Sequence, residues 1–383
     1  MMEPIIHTAD FHLDCRNPDV SSEGKYIREA EALSMTDALH ALAVDTGAAA
    51  IIIAGDIANY RNPRAWAYVV FRRFLEKCEA DGIKVVGLRG NHDGDDLSRR
   101  EFAEAFPSSL ITYARKPTVL KVAGRDVLLL PWAGRSTVAA KAGHTMTVAE
   151  QHGYMQQAFE RIIQTHPADI IVTHFTIAGA KYSSEAQPML GDSGELMLPV
   201  GMFNQPHLRH VVSGHIHKAQ VLTNGAVPIM YPGSTILCDF GQESETPHVV
   251  IDHGKHTELV PLEYDHLRFV TVNNDDPVDP DMLRGAIVRY KGAVPSGDEG
   301  ARIVSERMSE IAACEPAYIA KPVLTLERHE ARFSHSIRAE TLPSHALEEY
   351  ARLVGGEYQE RIDALMTIHE DIQKEVNDEA DHA

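Results

Sequence analysis

The stretch that decides the fold is residues 48–56, which read AAAIIIAGD. The first seven are apolar, and a short apolar run that ends at a turn residue is typical of a buried β-strand. Gly55 allows a sharp turn at the end of the run, so that the carboxylate of Asp56 is presented at the edge of a sheet. We therefore interpret this stretch as a core strand followed by a turn that carries a functional group.

Apolar strands and helical segments alternate through residues 1–262. This alternation predicts a layered α/β domain in which helices cover the sheet faces. The predicted strands are residues 4–8, 48–54, 84–88, 125–131, 169–173, 210–213, 227–231 and 248–252, and the main predicted helices are residues 29–46, 64–81 and 147–166. Residues 175–206 have no regular period and are rich in Gly, Pro and Ser, which favours an active-site loop over a linker.

Two further regions follow, in keeping with the two or three domains expected for 383 residues. Residues 263–340 predict a small α+β domain, with strands at 268–272, 286–290 and 321–326 and a helix at 301–314. Residues 341–383 repeat apolar residues at helical spacing around Gly355-Gly356, which predicts two C-terminal helices. Their apolar stripe fits either packing on the protein itself or docking in a groove of a partner.

Composition narrows the classes of function. The apolar fraction of 44% argues against disorder, and the net charge of −19 leaves no broad basic face for nucleic acid. The apolar runs are too short to span a membrane. The chain begins MMEP and enters a predicted strand at once, which leaves no room for a signal peptide, so we expect a cytoplasmic protein. Four scattered cysteines without a CxxC motif argue against a disulfide framework or a thiolate zinc site.

Polar side chains cluster directly after five of the predicted strands. In open α/β sheets, ligands bind in the crevice outside the carboxyl ends of the strands. The five motifs are Asp10-Phe11-His12, Gly55-Asp56, Gly90-Asn91-His92-Asp93, His174 and Gly214-His215-Ile216-His217. Any one of them alone is more often a structural turn or a core histidine. All five in this order, each after its own strand, predict one site at one rim.

The donor set indicates two metal ions. Two carboxylates, one amide oxygen and four imidazoles exceed the three or four ligands of a single tetrahedral zinc. Mixed oxygen and imidazole donors without thiolate suit Mn, Fe or Zn. Two such ions ~3.5–4 Å apart are the usual machinery for cleaving phosphoesters in line. The remaining histidines lack this placement, and we expect them at the surface or in the core.

The order D-x-H, G-D, G-N-H-D, H and G-H-x-H resembles the calcineurin-like metallophosphoesterase superfamily, which implies a β-sandwich-type domain with flanking helices. Within it, the chain most resembles SbcD-type nuclease subunits of double-strand-break repair complexes. The segments that carry this resemblance are YPGS at residues 231–234, DFGQE at 239–243, RFVTV at 268–272 and LRGAIVRYKG at 283–292. The last two resemble the family's capping domain, and the C-terminal helices lie where the family binds its ATPase partner.

The resemblance implies a role for each matching residue. It assigns Asp10, His12 and His217 to one Mn²⁺ ion and Asn91, His174 and His215 to the other, with Asp56 bridging them. His92 matches the residue that acts on the substrate, and a free imidazole can protonate a departing 3′ oxygen. We expect the neighbouring Asp93 to orient it. The chain departs from the family at Asn59, where DNA-processing relatives often carry His or Asp, at Asp14, where glycine is frequent, and in FGQE, which replaces FGE.

The leading hypothesis is a Mn-dependent DNA exo- and endonuclease that works with an SbcC-like coiled-coil ABC-type ATPase. Phosphate contacts would come from scattered basic residues such as Arg61, Arg64, Arg89 and Lys181, and much of the DNA affinity from the partner. A homodimer is possible through the predicted helices at 29–46 and 64–81. Two alternatives stay open: a phosphodiesterase or phosphatase acting on small nucleotides or phosphoproteins, and a non-catalytic binding subunit.

Overall fold

The computed structural model describes residues 2–18, 20–21, 26–94, 100–134, 137–138, 146–183, 196–223, 225–326 and 367. The two predicted C-terminal helices at 341–383 lie outside these residues except for Thr367. By its internal contacts the chain divides into two units, residues 1–291 with 308–323 and residues 292–307 with 324–383. The predicted boundary at 262/263 falls within the first unit, and the three-domain division stays a prediction.

Two six-stranded sheets form most of the first unit. The strands are β1 (Ile5–Thr8), β2 (Ala50–Ile53), β3 (Lys84–Leu88), β4 (Thr112–Ala114), β5 (Thr118–Val122), β6 (Arg125–Leu130), β7 (Ile170–Thr173), β8 (Thr176–Ile177), β9 (Met197–Leu198), β10 (His210–Ser213), β11 (Gln220–Leu222), β12 (Ile229–Tyr231), β13 (His248–Asp252) and β14 (Thr257–Pro261). One sheet has the order β14-β13-β1-β2-β3-β4 and the other β11-β12-β10-β7-β6-β5, while β8 and β9 pair separately. All eight predicted strands of this region are present.

The central strands of each sheet run parallel, and the antiparallel pairs lie toward the edges. β1 pairs in parallel with β2 in the register Ile6 to Ile51, and β10 pairs in parallel with β7 in the register Val211 to Ile171. Parallel neighbours have their carboxyl ends on the same side. The residues that follow β1, β2 and β3 are therefore brought together, as are those that follow β7 and β10.

Alternating side chains of the strands face two different layers. Ile51 and Ile53 of β2 pack with α1 (Arg28–Thr46) and α2 (Ala65–Ala80), whereas Ile52 between them packs toward the second sheet, against residues such as Val172. The outer face of the second sheet packs on α3 (Val148–Thr165). Because side chains of a strand point to opposite faces in turn, an all-apolar strand fills both layers. The result is a β-sandwich with flanking helices, which confirms the predicted fold class.

The strands that sequence reasoning missed are short and lie mainly at the sheet edges. β5 alternates half-buried and exposed side chains, and β14 is partly exposed along its whole length. An edge strand buries at most one face, so its sequence is too polar to stand out from a loop. The predicted irregular segment 175–206 contains β8, β9 and a turn of 3₁₀-helix at Val200–Phe203, and its residues 184–195 lie outside the described structure.

The α+β region contains β15 (Phe269–Asn273), α4 (Pro280–Leu283), β16 (Ile287–Val294), α5 (Asp298–Ala312), β17 (Tyr318–Ile319) and β18 (Val323–Leu326). β15, β16 and β17 pair in that order and in parallel. Phe269 and Ile287 pack with Leu237. The three strands and the longer helix predicted here are present, with ends shifted by a few residues. None of the described helices is long and apolar enough to cross a membrane.

A second group of histidines is buried between the sheets, on the strands themselves and not after their carboxyl ends. His7 on β1 and His210 on β10 meet edge to face, with ring centroids 5.6 Å apart. Asp252 and Arg125 form a buried ion pair beside them, 2.8 Å apart, and Arg209 lies 3.8 Å from the same carboxylate. Burial, together with the neighbouring imidazole, lowers the pKa of His7 to about 3, and burial lowers the pKa of His210 to about 4. Both rings are therefore neutral in the folded protein near neutral pH.

The neutral pair predicts that acid destabilises the fold. Unfolded histidine titrates near 6.5, so between the folded and unfolded pKa values the unfolded chain binds more protons and stability rises with pH. We expect the free energy of unfolding to fall by on the order of 3 kcal/mol between about pH 7 and about pH 5 through these two residues. Urea denaturation across this range measures the effect. His210→Phe should flatten the slope, and the exposed control His207→Phe should not; equal slopes for both variants would contradict the assignment.

Candidate metal centre

The structure brings the seven predicted ligands together where strands of both sheets end. Asp10 and His12 follow β1, Asp56 follows β2, and Asn91 follows β3. The remaining three follow β7 and β10 of the second sheet, namely His174, His215 and His217. Contacts within hydrogen-bonding distance join residues as far apart in sequence as His12 and His217. The site therefore spans the two sheets at one end of the sandwich.

Six of the seven side chains form two groups of three donors. In the first, Nε2 of His12 lies 2.9 Å from Nε2 of His217 and 3.9 Å from Oδ1 of Asp10. In the second, Oδ1 of Asn91 lies 2.9 Å from Nε2 of His174 and 2.8 Å from Nδ1 of His215. Each group directs one oxygen and two ring nitrogens at a shared space, as the ligands of a divalent ion do.

Asp56 lies between the two groups. Its Oδ2 is 3.8 Å from Nε2 of His12 and 3.3 Å from Nε2 of His174, so the same oxygen faces both. Its Oδ1 accepts a hydrogen bond of 2.8 Å from the backbone N–H of His92. This bond fixes the carboxylate in the orientation that a bridging ligand needs.

The backbone is strained at several of these positions. Asp10, His12, Asp56 and His215 all have positive φ, at 52°, 44°, 52° and 82°. Non-glycine residues rarely adopt this region, at a cost of ~1–3 kcal/mol each, and such strain concentrates at functional sites. At Gly90 the φ angle is not positive; a Cβ there would overlap the carboxylate of Asp56. Glycine is needed at position 90 to let the Asp56 side chain approach, whereas Gly55, with φ of 87°, supplies the expected turn.

The electrostatics favour a bound cation. Asp10 and Asp56 are fully buried, and among the described residues only histidines lie within ion-pair distance of them. Burial raises the pKa of Asp10 to about 8. Burial opposes ionisation of Asp56 as well, but His174 outweighs it and holds the pKa of Asp56 well below its usual range. In return, Asp56 overcomes burial and raises the pKa of His174 to about 9. The pocket therefore stabilises positive charge.

The imidazoles of the first group are available as neutral ligands. Burial lowers the pKa of His217 to about 4, and burial with the neighbouring His217 ring lowers that of His12 well below its usual value. Metal binding requires the unprotonated nitrogen, which both rings offer near neutral pH. In the second group, Nδ1 of His174 donates to the carbonyl of Ala54 at 2.7 Å, which aims Nε2 at Asn91 and Asp56. The residues present thus fit two divalent ions.

His92 lies at the mouth of the site and is exposed. Its ring centroid is 4.9 Å from that of His12, at the margin of the first donor group. Its Nδ1 lies 2.9 Å from the carbonyl oxygen of Asn59. Because a carbonyl only accepts, Nδ1 carries the proton in this contact and Nε2 is the nitrogen left for exchange with a substrate.

Contrary to our expectation, the carboxylate of Asp93 contacts backbone N–H groups and not the ring of His92. Its Oδ2 accepts from the backbone N–H groups of Asp56 and Gly90, at 2.9 and 2.8 Å, and its Oδ1 accepts from those of Ile57 and Ala58, at 3.0 and 3.3 Å. Asp93 is buried and ties the turn after β2 to the turn after β3. The carbonyl of Asn59 orients His92, and the carbonyl of Ala54 orients His174. Neither contact was predicted, because a backbone carbonyl has no signature in a sequence.

The role of Asp93 predicts a loss of stability when one of its accepting oxygens is removed. In Asp93→Asn, an NH₂ group would replace one of the two oxygens. The two buried backbone N–H groups that donate to that oxygen would then have no acceptor there. We expect the free energy of unfolding to fall by ~2–4 kcal/mol in urea denaturation. Asp37→Asn, which removes a carboxylate paired at the surface with Arg73 and Lys77, should cost less than ~1 kcal/mol. An unchanged stability with a shifted His92 titration would instead indicate that Asp93 acts on His92.

The basic residues expected to contact phosphate are not equivalent. Arg89 is buried, and its guanidinium contacts the carbonyl of Trp132 and the carboxylate of Glu101, so our expectation for this residue was wrong. Arg61 and Lys181 are exposed. Arg64 lies beside Asp14, which replaces the frequent glycine and keeps positive φ, at 70°. The glycine-type conformation at this departure from the family is therefore retained.

Comparisons with known proteins agree with this geometry. The family model for calcineurin-like phosphoesterases matches residues 3–219. The chain is 27% identical over 263 residues to the SbcD subunit of nuclease SbcCD from Escherichia coli K12, covering 64% of this chain and 63% of that protein. It is 23% identical over 269 residues to the SbcD subunit of nuclease SbcCD from Bacillus subtilis, covering 66% of this chain and 67% of that protein.

The match to the Escherichia coli relative thus spans just under two thirds of that protein's length. A search of solved structures also found the crystal structure of TT1561 of Thermus thermophilus, at 14% identity and a TM-score of 0.38, covering 69% of this chain and all of that one. The matched residues 3–219 make up more than half of the chain and contain all seven donors. The chain belongs to the calcineurin-like phosphoesterase family.

Proposed function

We propose that this protein is a Mn-dependent DNA nuclease, with exo- and endonuclease activity, and the nuclease subunit of an SbcCD-like repair complex. The observation that carries the proposal is the arrangement of six donors in two groups around a seventh, Asp56. The similarity to two SbcCD nuclease subunits supports a nucleic acid as the phosphoester substrate, and we propose that it is DNA.

The donors divide between two ions as their contacts suggest. Asp10, His12 and His217 would hold one, Asn91, His174 and His215 the other, and Asp56 would contact both. Two divalent ions, when bound, polarise the phosphate and stabilise the attacking and leaving oxygens of an in-line displacement. The donors are carboxylate, amide oxygen and imidazole, without thiolate, which suit Mn, Fe or Zn. We favour Mn²⁺ among these because of the resemblance to SbcD-type nucleases.

The chain's own residues supply the remaining functions. His92, exposed at the mouth, is placed to protonate the departing 3′ oxygen. The carbonyl of Asn59 holds the ring through Nδ1, which leaves Nε2 toward the substrate. Asp93 has a positioning role, because it fixes the backbone turns that carry Asp56 and His92.

DNA must approach a chain with net charge −19. Arg61 and Lys181, both exposed, are the candidates for phosphate contacts, but two such residues supply little of the affinity that nucleic-acid binding usually needs. We infer that an SbcC-like coiled-coil ABC-type ATPase provides most of it, with residues 263–340 as a capping and DNA-binding domain. A homodimer through α1 and α2 and a cytoplasmic location are further parts of this proposal.

The decisive test is cleavage of supercoiled, linear and hairpin DNA with Mn²⁺, with and without the ATPase and with EDTA as the control. We expect Mn-dependent cleavage that the ATPase stimulates on linear ends and hairpins. The absence of cleavage on all three substrates, with the ATPase present, would defeat the proposal. Product lengths would report the balance of exo- and endonuclease activity.

An alternative is a phosphodiesterase or phosphatase acting on small nucleotides or phosphoproteins. It is favoured by the fact that all seven donors lie between residues 10 and 217, so the site needs none of the α+β region. Turnover of cyclic nucleotides or phosphopeptides by a preparation that leaves DNA intact would establish this alternative.

Partner binding is assigned to residues 341–383. The test is co-purification of the ATPase with the full chain and with a variant that lacks residues 344–383. Loss of co-purification from a variant that still cleaves a model phosphodiester supports docking. An insoluble or inactive variant would show that these residues belong to the fold of the nuclease itself.

A further inference from the structure

Two cysteines that are 223 positions apart meet near the loop that carries Asp10 and His12. Cys15 lies three residues after His12, and Cys238 lies in the loop that follows β12. Sγ of Cys15 is 3.9 Å from the carbonyl oxygen of Cys238, and the Cys238 thiol donates to the carbonyl of Ile236 at 3.5 Å. The two thiols are close enough for each to shift the pKa of the other, downward at Cys15 and upward at Cys238. Cys15 is buried, whereas Cys238 is partly exposed to solvent. Of the two residues, Cys238 is therefore the one nearer to solvent.

Arg28 holds the two loops in place. Its buried guanidinium donates to the carbonyl of Pro18, at 3.0 Å, and to that of Leu237, at 2.9 Å, so it joins the segment after Cys15 to the segment before Cys238. The hydroxyl of Ser234, in the same loop as Cys238, donates to the carbonyl of Asp10 at 2.9 Å. The thiols are thus kept adjacent by contacts that do not involve the sulfur atoms.

The other two cysteines have different surroundings. Cys78 packs in the apolar core on α2, and the Cys314 thiol donates to the carbonyl of Glu310 at 3.5 Å. Arg28 also lies beside the pair and interacts electrostatically with both sulfurs. These differences make Cys78 and Cys314 natural controls.

We propose that Cys15 and Cys238 are a reversible oxidation site, at which a hydroperoxide converts the two thiols into a disulfide that ties the Asp10–His12 loop to the loop after β12. One sulfur takes the terminal oxygen of the hydroperoxide, the O–O bond breaks, and the alcohol or water leaves. The second sulfur then attacks the resulting sulfenic acid, the S–O bond breaks, the S–S bond forms and water leaves. Two thiols are oxidised and one hydroperoxide is reduced. This inference does not depend on the substrate of the metal centre.

The test is peptide mapping of the full chain after treatment with hydrogen peroxide and alkylation of the remaining thiols. We expect a mass loss of ~2 Da, one peptide pair linked through Cys15 and Cys238, and reversal by dithiothreitol. The double variant Cys78→Ser/Cys314→Ser should retain the link, and Cys15→Ser or Cys238→Ser should abolish it. A second readout is the thermal midpoint of unfolding. It should rise on oxidation in the wild type and in the double variant, and it should not rise in Cys15→Ser or Cys238→Ser.

Two results would overturn the proposal, and neither depends on whether a variant folds. In one, wild-type Cys15 and Cys238 both remain open to alkylation after peroxide treatment and denaturation. In the other, they gain oxygen as sulfinic acids without a linked peptide.

Discussion

The Asp56→Ala variant is expected to lose both divalent ions and, with them, phosphodiester cleavage. A single oxygen of Asp56 faces His12 of one donor group and His174 of the other, so its removal takes a ligand from each ion at once. It also removes the anion that stabilises positive charge on the neighbouring His174 imidazole. Loss of an outer-shell group lowers metal affinity by roughly 10- to 100-fold, and loss of this ligand should cost more.

Metal content per chain after desalting, measured by mass spectrometry, gives the direct readout. Asp81→Ala, which removes an exposed carboxylate from the end of α2, is the matched control and should keep both ions. Asp56→Asn is informative as well, because its amide oxygen can still accept from the N–H of His92 while the bridging charge is gone. Full metal content in Asp56→Ala would mean that the two groups bind their ions independently of this residue.

The His92→Asn variant is expected to keep both ions and to lower the rate of cleavage by about 10²- to 10⁴-fold, the usual contribution of a general acid. His92 is exposed, and its ring is held by a backbone carbonyl rather than by the buried donors. Its backbone N–H, which fixes Asp56, survives the substitution. The metal centre should therefore remain intact while the proton for the leaving oxygen is lost.

Single-turnover cleavage and metal content should be measured on the same preparation. His166→Asn, at the exposed end of α3, serves as the control and should match wild type in both. A substrate whose leaving group is a good one, such as a nitrophenyl ester, needs no general acid, so the defect of His92→Asn should shrink on it. A metal-free His92→Asn protein would refute the assignment and make His92 a ligand.

The two variants separate metal binding from proton transfer. Asp56→Ala should cleave neither substrates with good leaving groups nor those with poor ones. His92→Asn should lose activity chiefly on substrates with poor leaving groups. Both outcomes hold for DNA and for small phosphodiesters. They therefore test the centre itself, independently of the proposed substrate and partner.

Much of the site was predictable because its signals are local. An apolar run such as residues 48–54 specifies a strand, and the residues after it specify a turn. Both signals can be recognised without knowledge of the rest of the chain. Parallel pairing then follows from the alternation of strands and helices, and it places the strand ends at one rim. Edge strands such as β5 carry only half of this signal, and so they were missed.

The sequence by itself determined that strands end in Asp, Asn and His, and hence the donor set and the family. Only the tertiary structure decided what each group touches: that Asp93 holds backbone amides, that Arg89 is buried against Trp132, and that Cys15 meets Cys238. Strand periodicity is a property of neighbouring residues, whereas these contacts depend on how two sheets and their loops pack. Contacts between residues tens to hundreds of positions apart are set by that packing, because many distant pairings are compatible with the same local pattern.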